Sequence, residues 1–439
     1  MSNIESLWSK TAPRPSFAPL HGDVKTDVLI IGGGITGILC AYMLKKAGVD
    51  CVLAEADRIC GGVTQNTTAK ITLLHGLLYD SLIRKFGFDT AQRYLHAQQD
   101  ALRQYRTLCD RFLCDYEQQT AYTYSLRDRE KLEGEVQALD RLGCPAAFTE
   151  TTSLPFAVKG AVSVADQARF HPLKFAFAMA QDLPVYEQTK VLELGPHRAV
   201  TPHGSIVFRK CVVATHFPLL NKHGGFFLKL YQHRSYVLAL RGVPPVEGMY
   251  VDENPDGLSF RMHDGSLLLG GGSHRTGKTG GAWRELETFA RRWYDSPTVS
   301  ARWATQDCMT LDGIPYIGPY SRRLENIYVA TGYNKWGMTA AMVAARILTD
   351  AVQGRQNDYA AVFSPARSVW HRQLALNAAE SVIGLVTPSR PRCPHMGCAL
   401  KYNAQEHSWD CPCHGSRFAE DGTLINNPAT DDKKNMPEP

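Results

Sequence analysis

Three glycines, Gly32, Gly34 and Gly37, decide how this chain begins to fold. The apolar run Asp27-Val28-Leu29-Ile30-Ile31 precedes them and reads as a short strand. Ile35 to Ala47 has helical spacing, Gly48 ends it, and Cys51-Val52-Leu53-Ala54 follows as a second strand. Strand, glycine turn, helix and strand make a βαβ unit, which predicts a parallel sheet. In Gly32-x-Gly34-x-x-Gly37 the first glycine permits the tight turn. The second lets a pyrophosphate approach the backbone, and the third lets helix and strand pack closely. Ile35 and Thr36 open the helix, whose N–H groups and positive dipole end face the phosphates. Glu55 ends the second strand, about 20 residues on, where a carboxylate accepts hydrogen bonds from ribose hydroxyls. An ordinary glycine-rich turn is the alternative, but strand, helix and acid all agree with a dinucleotide site.

Further along, Leu77 to Leu142 reads as helical, with Leu78, Leu82, Ile83 and Phe86 on one face. Lys210 to Thr215 reads as a short buried strand, and Ala214 and Thr215 in it are expected at the cofactor. From about Lys229 to His274 long strands predominate. Ser259–Met262 and Ser266–Leu269 flank His263-Asp264-Gly265, a hairpin turn, so an antiparallel second lobe is expected. Ile327–Ala330 then reads as a strand, Thr331–Gly337 as a loop and Met338–Ala351 as a helix, and 365–391 as a link to a cysteine-rich tail. The formal charge of +5, with no run of five like charges, gives no reason to expect nucleic acid. No basic and apolar leader opens the chain and no apolar run reaches membrane-span length, so a cytoplasmic protein without a membrane span is expected.

Eight of the twelve cysteines (Cys40, Cys51, Cys60, Cys109, Cys114, Cys144, Cys211, Cys308) are scattered, and several of these sit inside apolar runs and read as small buried hydrophobes. The other four lie between Cys393 and Cys413, a clustering that suggests metal. Cys393-Pro394-His395 and Cys411-Pro412-Cys413-His414 each deliver one thiolate and one imidazole from a tight loop. Zinc is the alternative, but Cys/His zinc patterns usually place two cysteines and then two histidines. Here the order alternates.

Taken together, residues 20–350 resemble the FAD-dependent amine and amino-acid oxidoreductases, the family of D-amino-acid oxidase, glycine oxidase and sarcosine oxidase. Arg58-Ile59-Cys60-Gly61-Gly62-Val63-Thr64 is like that family's second phosphate- and flavin-contacting loop. Val191 looks like its adenine-side residue. Leu311–Pro319 resembles the segment ahead of its last strand, and Ala330–Thr339 its closing flavin loop. The resemblance implies FAD contacts from Glu55, Ala56, Arg58, Gly62, Val63 and Thr64, and from Gly332, Lys335, Trp336, Gly337, Met338 and Thr339. A helix starting near Gly337 aims N–H groups at the flavin N1 and C2 oxygen. Thr67, Thr68, Ala69 and Lys70 lie in a polar segment just after the cofactor loop. Contact with the flavin or its phosphates is expected there; threonine caps on a helix are the alternative.

The cysteine-rich tail resembles Rieske proteins, including those of respiratory cytochrome bc complexes. That implies a 2Fe–2S cluster with Cys393 and Cys411 on one iron and His395 and His414 on the other. The same resemblance implies a disulfide between Cys398 and Cys413. Between Pro365 and Cys393 only about 27 residues remain, too few for the usual base sheet of such a domain. The tail is therefore expected to dock on the flavin part. As a whole the chain resembles bacterial FAD-dependent oxidoreductases with a C-terminal Rieske domain.

The expected fold is α/β, a Rossmann-type, glutathione-reductase-like FAD-binding domain in three parts (1–76, 151–218, 301–364). A helical insertion (77–150), an antiparallel-sheet substrate lobe (219–300), a linker (365–390) and a small cluster-binding subdomain (391–439) complete it. The expected function is oxidation of a small amine or amino-acid-like donor, with electrons leaving through the cluster to an acceptor. An electron-transfer module without organic substrate, or a redox sensor, is the alternative. Lys335, Arg234, Tyr236, Arg261, His274 and also His233 are the catalytic candidates, placed on or near the second lobe or in the flavin loop. Cys308-Met309-Thr310 resembles the site where some amine oxidases attach flavin covalently; a plain cysteine is the alternative.

High-potential Rieske proteins tend to carry Tyr two positions beyond the serine that here is Ser416. This chain has Phe418, which removes a hydroxyl donor and lowers the potential. Phe418→Tyr is expected to raise the cluster's midpoint potential. A potentiometric titration showing no rise, or a fall, overturns that account.

Overall fold

The computed structural model describes residues 4–220, 223–368, 370–388, 391–434 and 436. Val24–Ile31 is the heart of the first sheet. It pairs in parallel with Cys51–Ala54 on one side and Gly204–Val213 on the other. Val185–Tyr186 and Leu324–Thr331 extend the parallel set, and Tyr316–Ser321 closes one edge antiparallel. Because its neighbours leave in opposite directions, the end of Val24–Ile31 is a switch point, and Gly32 to Gly37 sits there. Gly32 has φ +106°, and a Cβ on it would lie 2.6 Å from Ala214 O. A Cβ on Gly37 would lie 2.0 Å from Gly32 O, so any side chain there would push helix Ile35–Lys46 off its strand. The eight scattered cysteines are all buried, as expected of small apolar side chains.

The second sheet has nine strands and is mixed, not purely antiparallel. Leu230–Arg241 lies next to one edge, flanked antiparallel by Ser266–Arg275 and by the edge strand Thr298–Thr310. Ser259–His263 joins Ser266–Arg275 through Asp264 and Gly265, both at positive φ, which is the expected hairpin turn. The stretch read as helical is interrupted. Tyr79–Phe86, Phe88–Arg111 and Arg129–Arg141 are helices, but Glu117–Ser125 is a strand. It pairs in parallel with Met249–Asp252 and antiparallel with Gly160–Arg169. Its Ala-Tyr-Thr-Tyr-Ser end suits a half-buried pleat, and partners far away in sequence supply the burial.

The stretch read as a bare linker holds helix Arg372–Val386. It packs on the tail through Gly384, where a Cβ would lie 2.6 Å from Cys413 Sγ. The tail itself is a four-stranded sheet (Lys401–Asn403, Ser408–Asp410, Arg417–Ala419, Leu424–Asn426) around a core of Leu400, Trp409, Phe418 and the four cysteines. Cys398 and Cys413 form a disulfide.

This small tail sits against the outer face of the nine-stranded sheet. Glu406, with its side chain only 7% exposed, accepts from Arg234 Nε (3.1 Å), Tyr236 Oη (2.8 Å) and Arg417 Nη2 (2.9 Å). Arg417 also donates to Asp410 at 2.9 Å, so two carboxylates face two guanidiniums. Burial opposes the charge on Glu406, but Arg234 and Arg417 prevail and hold its carboxyl down to about 2, below the ordinary 4.5. A carboxyl lowered on folding stabilises above its unfolded pKa and loses that contribution as pH falls toward the folded value. Glu406→Gln is therefore expected to cost about 3 kcal/mol at neutral pH, since it leaves the buried Arg234 without a carboxylate partner while Arg417 keeps Asp410. In thermal unfolding from pH 7 to pH 2 the gap from wild type should close below about pH 4.5. A gap that stays constant would count against the assignment.

Candidate functional site

A cavity of about 1060 Å³ opens between the two sheets, at the carboxyl end of Val24–Ile31. Its floor is the glycine turn, with Gly32, Gly34, Ile35 and Thr36. Thr64 Oγ1 takes the Ile35 N–H at 3.1 Å, so the helix keeps the later N–H groups of its first turn for a ligand. Glu55, Ala56, Arg58, Gly62, Val63, Thr64, Val191, Ala214 and Thr215 also line it, with Ala214 and Thr215 packed beside Gly32. Glu55 Oε2 accepts the Gly33 N–H at 2.6 Å and Oε1 the Asp57 N–H at 2.9 Å, which fixes the carboxylate at the strand end. Gly37, Ala69 and Thr339, also expected at the cofactor, lie outside the lining. Gly37 packs helix on strand, Ala69 is buried with φ +53°, and Thr339 Oγ1 bonds His75.

Thr67, Thr68 and Lys70 line the cavity. Burial, with the Arg261 charge nearby, lowers the Lys70 ammonium to about 7. Arg261 does not reach the cavity. Its Nη1 donates to Thr68 O and Ala69 O, both at 2.7 Å, so it holds the loop that does. The closing loop contributes Gly332, Lys335, Trp336, Gly337 and Met338. Asn334 and Lys335 both have positive φ. Asn334 supports that conformation by accepting from Thr310 N and donating to Gly332 O, each at 2.8 Å.

His75 was not among the expected residues. It lines the cavity and stacks on Trp336 with ring centroids 4.8 Å apart. Tyr94 Oη and Thr72 O fix its two nitrogens, and burial lowers it to about 3, so it stays neutral. The only hint in sequence was its place directly after the polar cofactor segment. Of the remaining catalytic candidates, Arg234 and Tyr236 bind Glu406 of the cluster subdomain, Tyr236 also lining the cavity, and His274 stacks on Tyr236 at 5.6 Å. His233 reaches Asp256 at 3.3 Å. Cys308 is buried, with Sγ 3.6 Å from Thr331 Oγ1, and does not line the cavity, so the structure gives no support to a covalent flavin link there.

Beyond the sheet, the two ligand loops meet. A hydrogen bond from the Cys411 thiol, against the cost of burial and helped by Ser416 Oγ, holds the Cys393 thiol down to about 7. The His395 and His414 rings are 5.0 Å apart. Burial lowers them to about 4 and about 3, which leaves both as the neutral imidazoles that metal binding requires. His414 Nδ1 is buried without a hydrogen-bond partner, as an atom reserved for a metal would be. Cys411 also lies within 4.8 Å of the sulfurs of Cys398 and Cys413, but these two are bonded to each other and offer no thiolate. Two thiols and two imidazoles in alternating order suit a mixed sulfur–nitrogen cluster.

The cluster loops are gripped by the second sheet. Arg275 donates to Pro412 O (3.1 Å) and Cys413 O (3.2 Å), and Gln306 to Gly415 O (2.9 Å). Asn427 donates back to Thr215 O and Phe217 O at 2.8 and 2.9 Å. Among the described residues no helix is long and apolar enough to cross a membrane.

Residues 27–351 match the FAD dependent oxidoreductase family model, and residues 359–437 the Rieske [2Fe-2S] domain. The chain is 32% identical to the Rieske 2Fe-2S iron-sulfur protein YhfW of Bacillus subtilis, over 97% of this chain and 96% of that one. It is 26% identical to gamma-glutamylputrescine oxidoreductase of Escherichia coli, over 79% and 87% of the two chains. Among solved structures, glycine oxidase from Geobacillus kaustophilus shares the fold, with a TM-score of 0.68 at 18% identity over 79% of this chain and 99% of that one. With a dinucleotide cavity at the sheet switch point and a thiol–imidazole cage beside it, the chain belongs to the FAD dependent oxidoreductases and carries a C-terminal Rieske 2Fe–2S domain.

Proposed function

We propose that this oxidoreductase takes two electrons from a small amine or amino-acid-like donor at FAD and passes them singly through the 2Fe–2S cluster to an acceptor. The observation that carries this reading is the shared cavity. Leu424, Asn426, Asn427 and Thr430 of the cluster subdomain line the same space as Gly32, Gly34 and Glu55. Lys190, on the expected adenine side, bonds Thr430 O. The cavity volume suits a dinucleotide with space left for a small donor.

FAD when bound supplies the two-electron acceptor, and the cluster a one-electron carrier. Gly32, Gly34, Thr36, Glu55, Gly62 and Thr64 would hold the nucleotide, and Gly332 to Met338 the flavin. Lys70 and the N-terminus of helix Gly337–Val352, both at the cavity, would offer positive potential to a bound flavin. Cys393, His395, Cys411 and His414 would hold the cluster. A donor of the amine class is supported by the family match and by the gamma-glutamylputrescine oxidoreductase relative.

Anaerobic addition of amines and amino acids to the holoprotein tests the reading. A true donor should bleach the flavin absorption and then produce the electron paramagnetic resonance signal of a reduced cluster. Flavin reduction with a cluster that stays oxidised, or no bleaching by any such compound, overturns it.

A further inference from the structure

On the sheet side of the cavity, four side chains form a hydrogen-bonded row. Lys335 Nζ donates to Ser273 Oγ at 3.4 Å, Ser273 Oγ to Ser235 Oγ at 3.1 Å, and Ser235 Oγ to Asp307 Oδ2 at 3.4 Å. All four line the cavity. They come from four separate elements: the flavin loop, Ser266–Arg275, Leu230–Arg241 and Thr298–Thr310. The row has a cation at one end and a carboxylate at the other. Neither charge has a direct ion-pair partner among the described residues, although Lys335 also donates to Pro255 O at 2.6 Å. Two opposite charges held apart along a cavity wall are costly to desolvate unless a ligand meets them.

We propose that this row is the substrate-recognition site, and that it selects a zwitterion. Lys335 binds the carboxylate of an amino acid, and Asp307 binds its ammonium and then serves as the base. This rests on the proposed oxidation of an amine-class donor. The base step balances simply. One N–H bond of the ammonium breaks, its proton forms an O–H bond on Asp307, and the nitrogen keeps the electron pair as a neutral amine. Only a neutral amine can push electrons toward the carbon that loses its hydrogen, so a base near the nitrogen has a defined task.

The surroundings of Asp307 suit it to that task. Burial raises its carboxyl, while the Lys335 and Arg234 charges and the Ser235 hydroxyl lower it. His233 is its register partner on Leu230–Arg241, and burial lowers that ring to about 3, so it adds no charge there. Asp256 faces Lys335 and His233 from the neighbouring loop. His274, across Ser266–Arg275, turns to Tyr236 instead.

The test uses three ligands that have no hydrogen on the carbon bearing the charge. 2-Methylalanine carries both charges, tert-butylamine only the ammonium and trimethylacetate only the carboxylate. Each is titrated into holoprotein, and binding is read from the flavin spectrum. 2-Methylalanine should bind tightest. Asp307→Asn and Lys335→Met should each weaken it about tenfold or more, the loss of one charge-assisted contact. Asp307→Asn should weaken tert-butylamine alone of the single-charge ligands, and Lys335→Met trimethylacetate alone. With an oxidisable donor, Asp307→Asn should shift the rise of kcat/KM to the pH where free amine forms.

Unchanged 2-methylalanine binding in both variants overturns the proposal, even if a donor bleaches the wild-type flavin. Charge-dependent binding with no bleaching by any amine supports this site and sinks the oxidation reading instead. If a variant fails to retain FAD, the wild-type comparison decides. A zwitterion that binds no tighter than either single-charge ligand rejects the site.

Discussion

One buried carboxylate joins the two halves of this molecule. Glu406 belongs to the cluster subdomain and Arg234 to strand Leu230–Arg241 of the nine-stranded sheet, and Arg234 would be an unmatched charge without Glu406. Such an arrangement contributes little net energy compared with an apolar contact of equal size, but it penalises every alternative placement. The subdomain therefore has one seat. That matters because a four-stranded sheet of three-residue strands has little core of its own. Helix Arg372–Val386, packed by Gly384 against the disulfide, supplies part of the missing support, and the oxidoreductase sheet supplies the rest.

The seat makes strand Leu230–Arg241 two-faced. Tyr231, Ser235 and Val237 look into the cavity, while Gln232 and Arg234 look toward the cluster subdomain. Thr298–Thr310 repeats the pattern, with Asp307 at the cavity and Gln306 on Gly415 O. Period-two alternation usually separates core from solvent. Here it separates two redox compartments, and it explains why the polar residues of this strand never showed the simple polar-out pattern. Gly415 belongs to the same design. A Cβ there would lie 2.3 Å from Gln232 Cγ, so the ligand loop approaches the sheet as closely as it does because it lacks a side chain.

Sequence made the covalently local parts legible. The Gly32–Gly37 turn, the hairpin at Asp264-Gly265 and the two Cys/His loops each carry their geometry in a few adjacent residues. What remained hidden depends on distant partners. Glu117–Ser125 is a strand because Met249–Asp252 and Gly160–Arg169 bury it, and its own residues fit a helical reading nearly as well. Arg234 and Tyr236 drew notice as catalytic candidates because they are polar residues on the right strand. Which face they point to depends on register, and a shift of one residue would have reversed it. Asp307 escaped notice for the same reason, although it directly precedes the Cys308-Met309-Thr310 stretch that did draw attention.

Between the cavity and the cluster ligand loops the wall is thin. Thr215 lines the cavity, and two residues on, the Phe217 ring meets His395 with centroids 6.2 Å apart. His216, between them, has φ +65° and bonds Gln232 at 3.1 Å, and its carbonyl accepts from Thr331 at the flavin loop. A histidine at positive φ is uncommon and persists only where its surroundings fix it. Here the fixing contacts come from both sheets, and Asn427 of the cluster subdomain clamps the carbonyls of Thr215 and Phe217 on either side. The turn that shapes the cofactor cavity is thus the same turn that holds the cluster ligand loop, so neither site can relax without moving the other.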